Sequence, residues 1–253
     1  MAAVSTSIEW TEATWNPVTG CSKIAAGCAN CYAERMARRL QAMGNPRYVN
    51  GFAVTIHYDL LDLPLLWRKP KTVFVNSMSD LFHENVPLEF IEAVFRTIER
   101  AHWHLFQVLT KRANRLAEVG PELRWPPNLW MGVTVERQEY AWRVASLKSV
   151  PAAMRFLSCE PLLGPLELDF EGIDWVIAGG ESGPGARPME LSWVRMLRDQ
   201  CREAGVPFFF KQLGGVTDRR GKAKALIDGQ RWTQTPLSSR ECQNVAVVKP
   251  RLF

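Results

Sequence analysis

The chain has 253 residues, of which 47% are hydrophobic and 23% are charged, a balance typical of a globular protein with a substantial core. The formal net charge of +5 permits an anionic partner such as nucleic acid but does not require one. There is no apolar run of about eighteen residues, and the first seven residues lack the basic and apolar parts of a signal peptide. We therefore expect a cytoplasmic protein that does not enter a membrane.

Short apolar runs that stop abruptly at polar residues recur along the chain. They are residues 72–75, 105–109, 129–133, 154–157, 175–178 and 206–210. Because these runs are β-branched or aromatic and almost continuously hydrophobic, they predict strands that are buried on both faces. An earlier strand ending near Thr19 brings the expected number to about seven.

Amphipathic stretches between the runs predict helices over residues 30–42, 87–102, 140–147 and 192–204. Ser192 is the expected N-cap of the last of these helices, and Gly205 is its expected stop. Strands that alternate with helices indicate parallel strands with right-handed crossovers. The predicted fold is α/β, a partial or distorted (β/α) barrel, with a doubly wound open sheet as the alternative.

We divide the chain into a barrel domain, residues 1–215, and a basic C-terminal extension, residues 216–253, packed on or near the barrel. In a barrel or an open sheet, the polar residues that end the strands meet at the C-terminal edge of the sheet, where active sites of such folds lie. The sequence therefore predicts a functional rim at that edge.

Three of the six cysteines, Cys21, Cys28 and Cys31, lie in one short segment with the spacing C-x6-C-x2-C. Two residues between Cys28 and Cys31 let both thiolates bind one metal centre, and Gly20 and Gly27 let the loop fold back to deliver Cys21. No fourth cysteine or histidine is close in sequence, which favours a [4Fe–4S] cluster over a zinc site closed by four protein ligands. Zinc and the absence of any metal are the alternatives.

Residues 15–34, together with residues 76–80 and 179–181, resemble the phage Gp37/Gp68 family, a three-Cys-motif group. The resemblance runs from about residue 8 to residue 215, and that family is similar in turn to radical SAM enzymes, especially spore photoproduct lyase. It implies a partial (β/α) barrel with a [4Fe–4S] cluster at its C-terminal mouth, S-adenosylmethionine (SAM) on the free iron and a reductant for the cluster. It also implies a nucleic acid or nucleotide substrate, in DNA repair or modification.

The sequence departs from the radical SAM pattern at two places. The usual cysteine spacing is C-x3-C-x2-C, whereas the first gap here is six residues. The Gly-Gly-Glu that usually follows the second strand is replaced by residues 76–80, and a Gly-Gly-Glu occurs only later, at residues 179–181.

The rim supplies candidate cofactor-binding residues. Ser77, Ser79 and Asp80 are expected to accept hydrogen bonds from the SAM ammonium group, and a polar turn that caps the next helix is the alternative. Glu136 and Glu181 are expected to bind ribose hydroxyls or a substrate amine, or to act in acid–base chemistry.

Three further candidates lie beside these. Gly179 and Gly180 would let the backbone approach a ligand, or would simply make a turn, and Tyr32 would pack against the cluster or an adenine.

The candidate catalytic residues are Cys159, Glu160 and Lys111. Cys159 would donate a hydrogen atom to a substrate radical, or would be a buried structural thiol. Glu160 is a further acid–base candidate, and Lys111 would balance a carboxylate or phosphate, or would be solvated.

Basic residues around the cysteine segment would form a phosphate-binding surface, or would be ordinary solvated helix residues; they are Lys23, Arg35, Arg38, Arg39, Lys111, Arg112 and Arg115. The alternative function is a nucleic-acid-binding or redox- or light-responsive protein, with an iron–sulfur cluster or zinc but without SAM-dependent turnover.

Overall fold

The structure is a computed structural model that describes residues 4–6, 8–215 and 225–236. Most of the predicted C-terminal extension, including its basic stretch at residues 219–224 and Cys242, lies outside the described residues. Among the residues that are described, no helix combines the length and the apolar character needed to cross a membrane.

The described chain alternates strands and helices. The strands are β1 (Val4–Ser5), β2 (Ala13–Trp15), β3 (Val18–Thr19), β4 (Thr55–Ile56), β5 (Thr72–Val75), β6 (Leu105–Thr110), β7 (Leu129–Thr134), β8 (Met154–Cys159), β9 (Trp175–Gly179), β10 (Phe208–Gln212), β11 (Leu226–Ile227) and β12 (Gln230–Arg231). The helices are α1 (Tyr32–Ala42), α2 (Leu88–Arg100), α3 (Ala113–Val119), α4 (Arg143–Lys148) and α5 (Leu191–Glu203).

The main sheet has the strand order β1-β2-β5-β6-β7-β8-β9-β10. From β2 to β10 every neighbouring pair is parallel, and only β1 is antiparallel to its partner. The order never reverses, so the sheet lacks the switch point of a doubly wound fold. Within the described residues β1 and β10 form the two ends of the sheet, so this sheet of seven parallel strands is a half-barrel. The predicted partial (β/α) barrel is confirmed.

Two local predictions differ from the structure. The first parallel strand, β2, ends at Trp15, and residues 18–19 form β3, which pairs antiparallel with β4. Pro17 separates them because it has no N–H to donate to a strand ladder. Helix α5 has Glu190, not Ser192, at its N-cap, and the Ser192 hydroxyl donates to Glu190 Oε2 at 3.3 Å. Gly205 does end this helix, with a φ of 68°.

The two faces of the sheet bury different side chains. The outer face packs against the helices through a large aliphatic and aromatic core, which includes Val108, Met131 and Val176. The inner face is filled by an aromatic cluster that we call the aromatic floor; it consists of Trp10, Phe74, Trp130, Phe156, Trp175 and Phe209. Because the floor occupies the inside of the half-barrel, it leaves the polar groups at the two ends of the strands.

Residues 225–236, which begin the predicted extension, contact the last strand of the sheet. The N–H of Phe210 donates to the carbonyl of Trp232 at 2.8 Å, and the N–H of Gln234 donates to the carbonyl of Phe208 at 3.1 Å. The indole N–H of Trp175 donates to the carbonyl of Gln234 at 2.9 Å. The division into two domains at residue 215 stays a prediction.

Candidate metal centre

The turn that carries Cys28 is fixed to the C-terminal edge of the sheet. This short 3-10 turn, Ala26–Cys28, lies between β3 and α1. The Ala26 N–H donates to the Tyr140 hydroxyl at 3.1 Å, and the Ala26 carbonyl accepts from Arg187 Nη2 at 3.0 Å. The Gly27 N–H donates to Glu136 Oε1 at 3.3 Å. Side chains that follow β7 and β9 therefore position the middle of the cysteine segment.

Cys21 is held by an arginine that follows β6. Arg112 Nη1 donates to Cys21 Sγ at 3.4 Å, while the same guanidinium forms ion pairs with Asp80 Oδ2 at 3.3 Å and Glu84 Oε2 at 2.8 Å. Burial raises the pKa of the Cys21 thiol to about 11, and Asp80 adds to the increase whereas Arg112 opposes it. A metal that binds here must therefore displace a proton from Cys21.

The hydroxyl of Ser22 fixes the residue next to Cys21. The Asn85 N–H donates to His83 Nδ1 at 3.1 Å, so we assign the proton of the neutral ring to Nε2, which donates to Ser22 Oγ at 2.9 Å. Arg112 Nη2 also donates to Ser22 Oγ, at 2.8 Å. The buried side chains of His83 and Arg112 thus hold the beginning of the segment.

The three cysteine thiols have the chemistry of cluster ligands, and their surroundings differ. Cys28 is the smallest of the causes that raise the pKa of Cys21. Cys31 is the N-cap of α1, in the same loop. Across residues 4–6, 8–215 and 225–236, no three Cys, His, Asp or Glu side chains are drawn together as a ready metal-binding group. Three thiols from one loop beside a guanidinium fit a thiolate-ligated iron–sulfur cluster, because the cation offsets part of the ligand charge.

His57 is the histidine nearest in sequence that would serve as a fourth zinc ligand. It is buried, and its Nε2 forms a hydrogen bond with Thr19 Oγ1 at 2.9 Å. The ring is thus engaged between β3 and β4, which does not favour the zinc alternative.

The residues predicted to bind the SAM ammonium group are engaged inside the protein. The Ser77 hydroxyl donates to Asn16 Oδ1 at 3.1 Å, and the Ser79 hydroxyl donates to the Val18 carbonyl at 2.8 Å. Asp80 is buried and accepts from Thr110 Oγ1 at 2.7 Å in addition to Arg112. These residues form the polar turn that the sequence leaves as the alternative, although the N-cap of α2 is Pro87 rather than a member of this turn.

The buried carboxylates of Glu136 and Glu181 both form ion pairs with arginines. Glu136 has no exposed surface, and its Oε2 accepts from Arg143 Nη1 at 2.9 Å. Glu181 accepts from Arg187 Nη2 at 2.7 Å and from Asn30 Nδ2 at 2.9 Å. Burial raises the pKa of Glu181, but the hydrogen bonds lower it by more than burial raises it. The pKa of Glu181 therefore lies below its ordinary value. Both residues tie the cysteine segment to the rim.

Glu160 and Lys111 reach the inner side of the mouth. Glu160 Oε1 pairs with Lys211 Nζ at 3.1 Å, and both side chains are partly exposed. Lys111 Nζ donates to Thr134 Oγ1 at 3.3 Å. These two lysines and one carboxylate lie above the aromatic floor.

The rim glycines are explained by protein contacts. A Cβ atom at Gly179 would lie 2.6 Å from Glu160 Oε1, and one at Gly180 would lie 1.9 Å from the Leu213 carbonyl oxygen. Glycine is therefore required at these two positions because protein atoms approach the backbone closely, and this requirement does not depend on a ligand. Tyr32 donates its hydroxyl to the Ser77 carbonyl, and the residue is 55% exposed, so its ring is available at the surface beside Cys31.

Cys159 faces away from the inside of the half-barrel. It is fully buried in the core between the sheet and the helices, together with Leu157, whereas Phe156 belongs to the aromatic floor. Burial raises the pKa of Cys159 well above its ordinary value, and Cys201 of α5 contributes to the increase. This placement corresponds to the structural thiol that was the alternative to a hydrogen-atom donor.

The predicted basic surface divides into separate groups. Lys23 and Arg38 pair with Glu34 at 3.1 and 2.6 Å, whereas Arg35 donates to the Ser182 carbonyl at 3.4 Å. Arg115 donates to the Val86 carbonyl at 3.0 Å, and Arg112 is buried with Cys21 rather than exposed to a phosphate. Arg39 lies in the last turn of α1.

Some of the residues that position the cysteine segment could not be identified from the sequence alone. Tyr140, Arg143 and Arg187 each contact the segment or one of its carboxylate partners. Their signal is weak: an arginine follows Glu136 by seven residues and Glu181 by six residues, spacings that occur by chance in any basic chain.

A family model described as "Protein of unknown function (DUF5131)" matches residues 5–236. The chain belongs to this family. The Gp37/Gp68 name for this DUF5131 chain stays a prediction. No curated protein matches the chain.

Solved structures similar to the DUF5131 chain are those of spore photoproduct lyase. One lyase variant is 12% identical with a TM-score of 0.46, over 71% of this chain and 58% of the lyase. The lyase complexed with dinucleoside spore photoproduct is 10% identical with a TM-score of 0.47, over 80% of this chain and 64% of the lyase. The chain thus spans less than two thirds of the lyase chains that it matches.

Proposed function

We propose that this DUF5131 protein is a [4Fe–4S] enzyme of the radical SAM kind, with Cys21, Cys28 and Cys31 as ligands, that acts on nucleic acid or a nucleotide. One observation carries the proposal: the cysteine segment is fixed to the C-terminal mouth of a parallel half-barrel at its start, by Arg112 at Cys21, and at its middle, by Glu136 at Gly27. The cluster, when bound and reduced, would supply an electron to its partner. A reductant is therefore also part of the proposal.

The inner side of the mouth offers groups for an anionic substrate. Lys111 and Lys211 bring positive charge above the aromatic floor, and Glu160 Oε1 pairs with Lys211 Nζ at 3.1 Å. Lysines at a mouth attract phosphate groups, and a partly exposed carboxylate accepts hydrogen bonds from hydroxyl or amino groups. In this proposal Lys111 and Glu160 touch the substrate, while Cys159 supports the fold.

A second candidate is a cluster protein that binds nucleic acid or senses redox state or light without SAM-dependent turnover. The observation that favours it is the bonding of Asp80, whose buried carboxylate already accepts from Thr110 Oγ1, the Lys111 N–H and Arg112 Nη1. Asp80 as arranged does not fit the SAM ammonium group, so we derive no chemical step through SAM.

Cluster binding is tested by anaerobic purification with iron and sulfide analysis. We expect about four iron and four sulfide per chain in the wild type, as a [4Fe–4S] cluster requires, and little of either in Cys28→Ala. The matched control is Cys201→Ala, because Cys201 is a free cysteine buried in α5, away from the loop. Normal iron content in Cys28→Ala, or zinc in place of iron in the wild type, would contradict the ligand assignment.

SAM-dependent turnover is tested separately on the loaded protein. Dithionite reduction in the presence of SAM should release 5′-deoxyadenosine if the first candidate is correct. Its absence from a fully loaded and reduced protein would leave the second candidate. Binding to DNA or RNA should weaken steeply with salt and should weaken further in Lys111→Ala, because counterion release drives phosphate contacts.

A further inference from the structure

Helix α1 begins directly after Cys31, and little of its surface is buried. It buries two side chains, Ala33 and Ala37, whereas α2 buries six. The two alanines belong to a small cluster with Tyr48 and Met78, which is separate from the large core between the sheet and the other helices. Helix α1 therefore lies at the edge of the fold, with most of its side chains open to solvent.

The exposed surface of α1 carries a row of large side chains. Tyr32, Met36, Arg39 and Met43 are all exposed, and they follow one another at intervals of four, three and four residues. Residues at these intervals lie on one side of a helix, so the four side chains form a continuous row, which we call the α1 stripe. Single exposed hydrophobic residues are ordinary. Three of them at helical spacing are instead the pattern of a helix that binds in the groove of a partner.

The residue types of the α1 stripe are those of protein interfaces. Tyrosine, methionine and arginine are enriched at such interfaces, whereas lysine and glutamate are depleted. Met36 and Met43 are 43% and 69% exposed. A methionine side chain packs against irregular apolar surfaces, but it has no donor for a phosphate and no ring that stacks on a base. The stripe therefore fits a protein better than it fits a nucleic acid.

The charge around the α1 stripe is positive. Arg35 and Arg38 lie beside it on the same helix, and Lys23 precedes the helix; all three are exposed. Glu34 is the one carboxylate of α1, and it pairs with Lys23 at 3.1 Å and with Arg38 at 2.6 Å. Together with Arg39 in the stripe, these cations outnumber the carboxylate. Such a surface attracts a partner whose own surface is acidic.

The position of the α1 stripe indicates what the partner does. Its first residue, Tyr32, directly follows Cys31, and the helix is about 17 Å long at a rise of about 1.5 Å per residue. A protein bound along α1 therefore lies beside the cysteine segment.

We propose that the α1 stripe is the docking surface for an acidic redox protein that reduces the cluster. This inference rests on the proposed function, which requires an electron donor. The step transfers one electron: the donor is oxidised as the cluster is reduced, and no bond is formed or broken.

The test uses the full-length, cluster-loaded protein and two acidic redox proteins, a flavodoxin and a [2Fe–2S] ferredoxin. We expect at least one of them to bind in anaerobic calorimetry, with an affinity that falls as salt is added, and to bleach the cluster absorbance when it is supplied reduced. Met36→Glu combined with Met43→Glu should weaken that binding about 10-fold or more, because it places two carboxylates against an acidic partner. Arg39→Glu should slow reduction of the cluster by the same donor and should make the rate less sensitive to salt.

Matched controls separate docking from folding and from the cluster itself. Met196→Glu changes a methionine on α5 that is 42% exposed, and Arg68→Glu reverses an exposed charge that precedes β5. Both variants should leave donor binding and cluster reduction unchanged. Methyl viologen, a small cationic reductant that needs no docking surface, should reduce the α1 variants at least as fast as the wild type.

Three results would overturn the proposal. They are the failure of both donors to bind the loaded wild type, equal donor binding by the α1 variants, and a loss of DNA or RNA binding in these variants while donor binding persists. A wild-type protein that holds no iron would instead contradict the proposed function. Because iron is measured before any donor is added, the two failures are distinct.

Discussion

Replacing Glu136 by glutamine tests whether the cysteine segment depends on a buried ion pair. Glu136 is fully buried, its Oε2 accepts from Arg143 Nη1 at 2.9 Å, and its Oε1 accepts the Gly27 N–H at 3.3 Å. Glu136→Gln keeps the shape of the side chain but removes the negative charge. The amide offers one acceptor oxygen in place of two, so either Arg143 or the Gly27 N–H loses its acceptor, and Arg143 is left as a buried cation without a counter-charge, beside the Thr134 carbonyl at 2.8 Å and the Tyr140 ring at 4.2 Å.

Removing one partner of a buried ion pair costs about 3–5 kcal/mol. Because Arg143 retains a carbonyl acceptor and an aromatic ring, we expect the lower end, about 3 kcal/mol. For a chain of this size that corresponds to a decrease in Tm of about 6–12 °C. The measurement is urea denaturation together with thermal unfolding of the wild type and the variant.

The matched control is Glu92→Gln, which removes one partner of the exposed pair between Glu92 and Arg96 on α2. An exposed pair of this kind contributes about 0.5 kcal/mol or less. A loss of less than about 1 kcal/mol in Glu136→Gln, equal to that of the control, would refute the reasoning.

A double variant separates stability from the anchoring of the loop. Glu136→Leu combined with Arg143→Met replaces the pair by apolar groups and should recover much of the lost stability. It does not restore the acceptor of the Gly27 N–H, so iron loading should stay below the wild-type level. Full iron loading in the double variant would mean that Glu136 does not position the segment.

Three other predictions concern single groups. Gly132→Ala should destabilise the fold by about 1–3 kcal/mol in denaturant titration, because its Cβ would lie 2.5 Å from the Phe156 ring, whereas Gly164→Ala, with no atom within 4 Å, should have little effect. The pKa of Glu181 lies below its ordinary value of 4.5, so its stabilising contribution is complete above that pH and is lost as the pH falls through the folded-state pKa. The Tm difference between wild type and Glu181→Gln should therefore shrink on acidification, and a constant difference would contradict this origin. In protein loaded with the proposed cluster, Arg112→Lys should lower the midpoint potential in an EPR-monitored redox titration, because a hydrogen bond to Cys21 Sγ is lost; an unchanged potential would exclude a direct effect of the guanidinium.

Six of the seven parallel strands, β5 to β10, were predictable because each overlaps a short apolar run that ends at polar residues. The run at residues 154–157, for example, lies within β8, Met154–Cys159. The same continuity of hydrophobic residues conceals which face each side chain occupies, since both faces are buried. For this reason the sequence could place Cys159 at a strand end but could not assign it to the outer core.

The rim residues were predictable as a group but not in their pairings. Strand order brings Asp80 beside Thr110 and Arg112, although 30 and 32 residues separate them in the chain. No local pattern encodes such contacts, so the sequence could not show that the Asp80 carboxylate already has several hydrogen-bond donors. The first strand was misplaced because Val18 and Thr19 have strand-forming side chains, while Pro17 determines where the ladder stops.

The stack of rings around Trp175 closes the passage along the axis of the half-barrel. Its contacts with Trp130, Phe156 and Phe209, with ring centroids 5.9–6.2 Å apart, fill the space between the two ends of the strands in the described part of the chain. A nucleic acid substrate of the kind proposed above would then lie across the opening on the side of the cysteine segment instead of threading through it. Under that proposal, the reacting unit would have to swing out of its strand to enter, and the product would leave by the same opening.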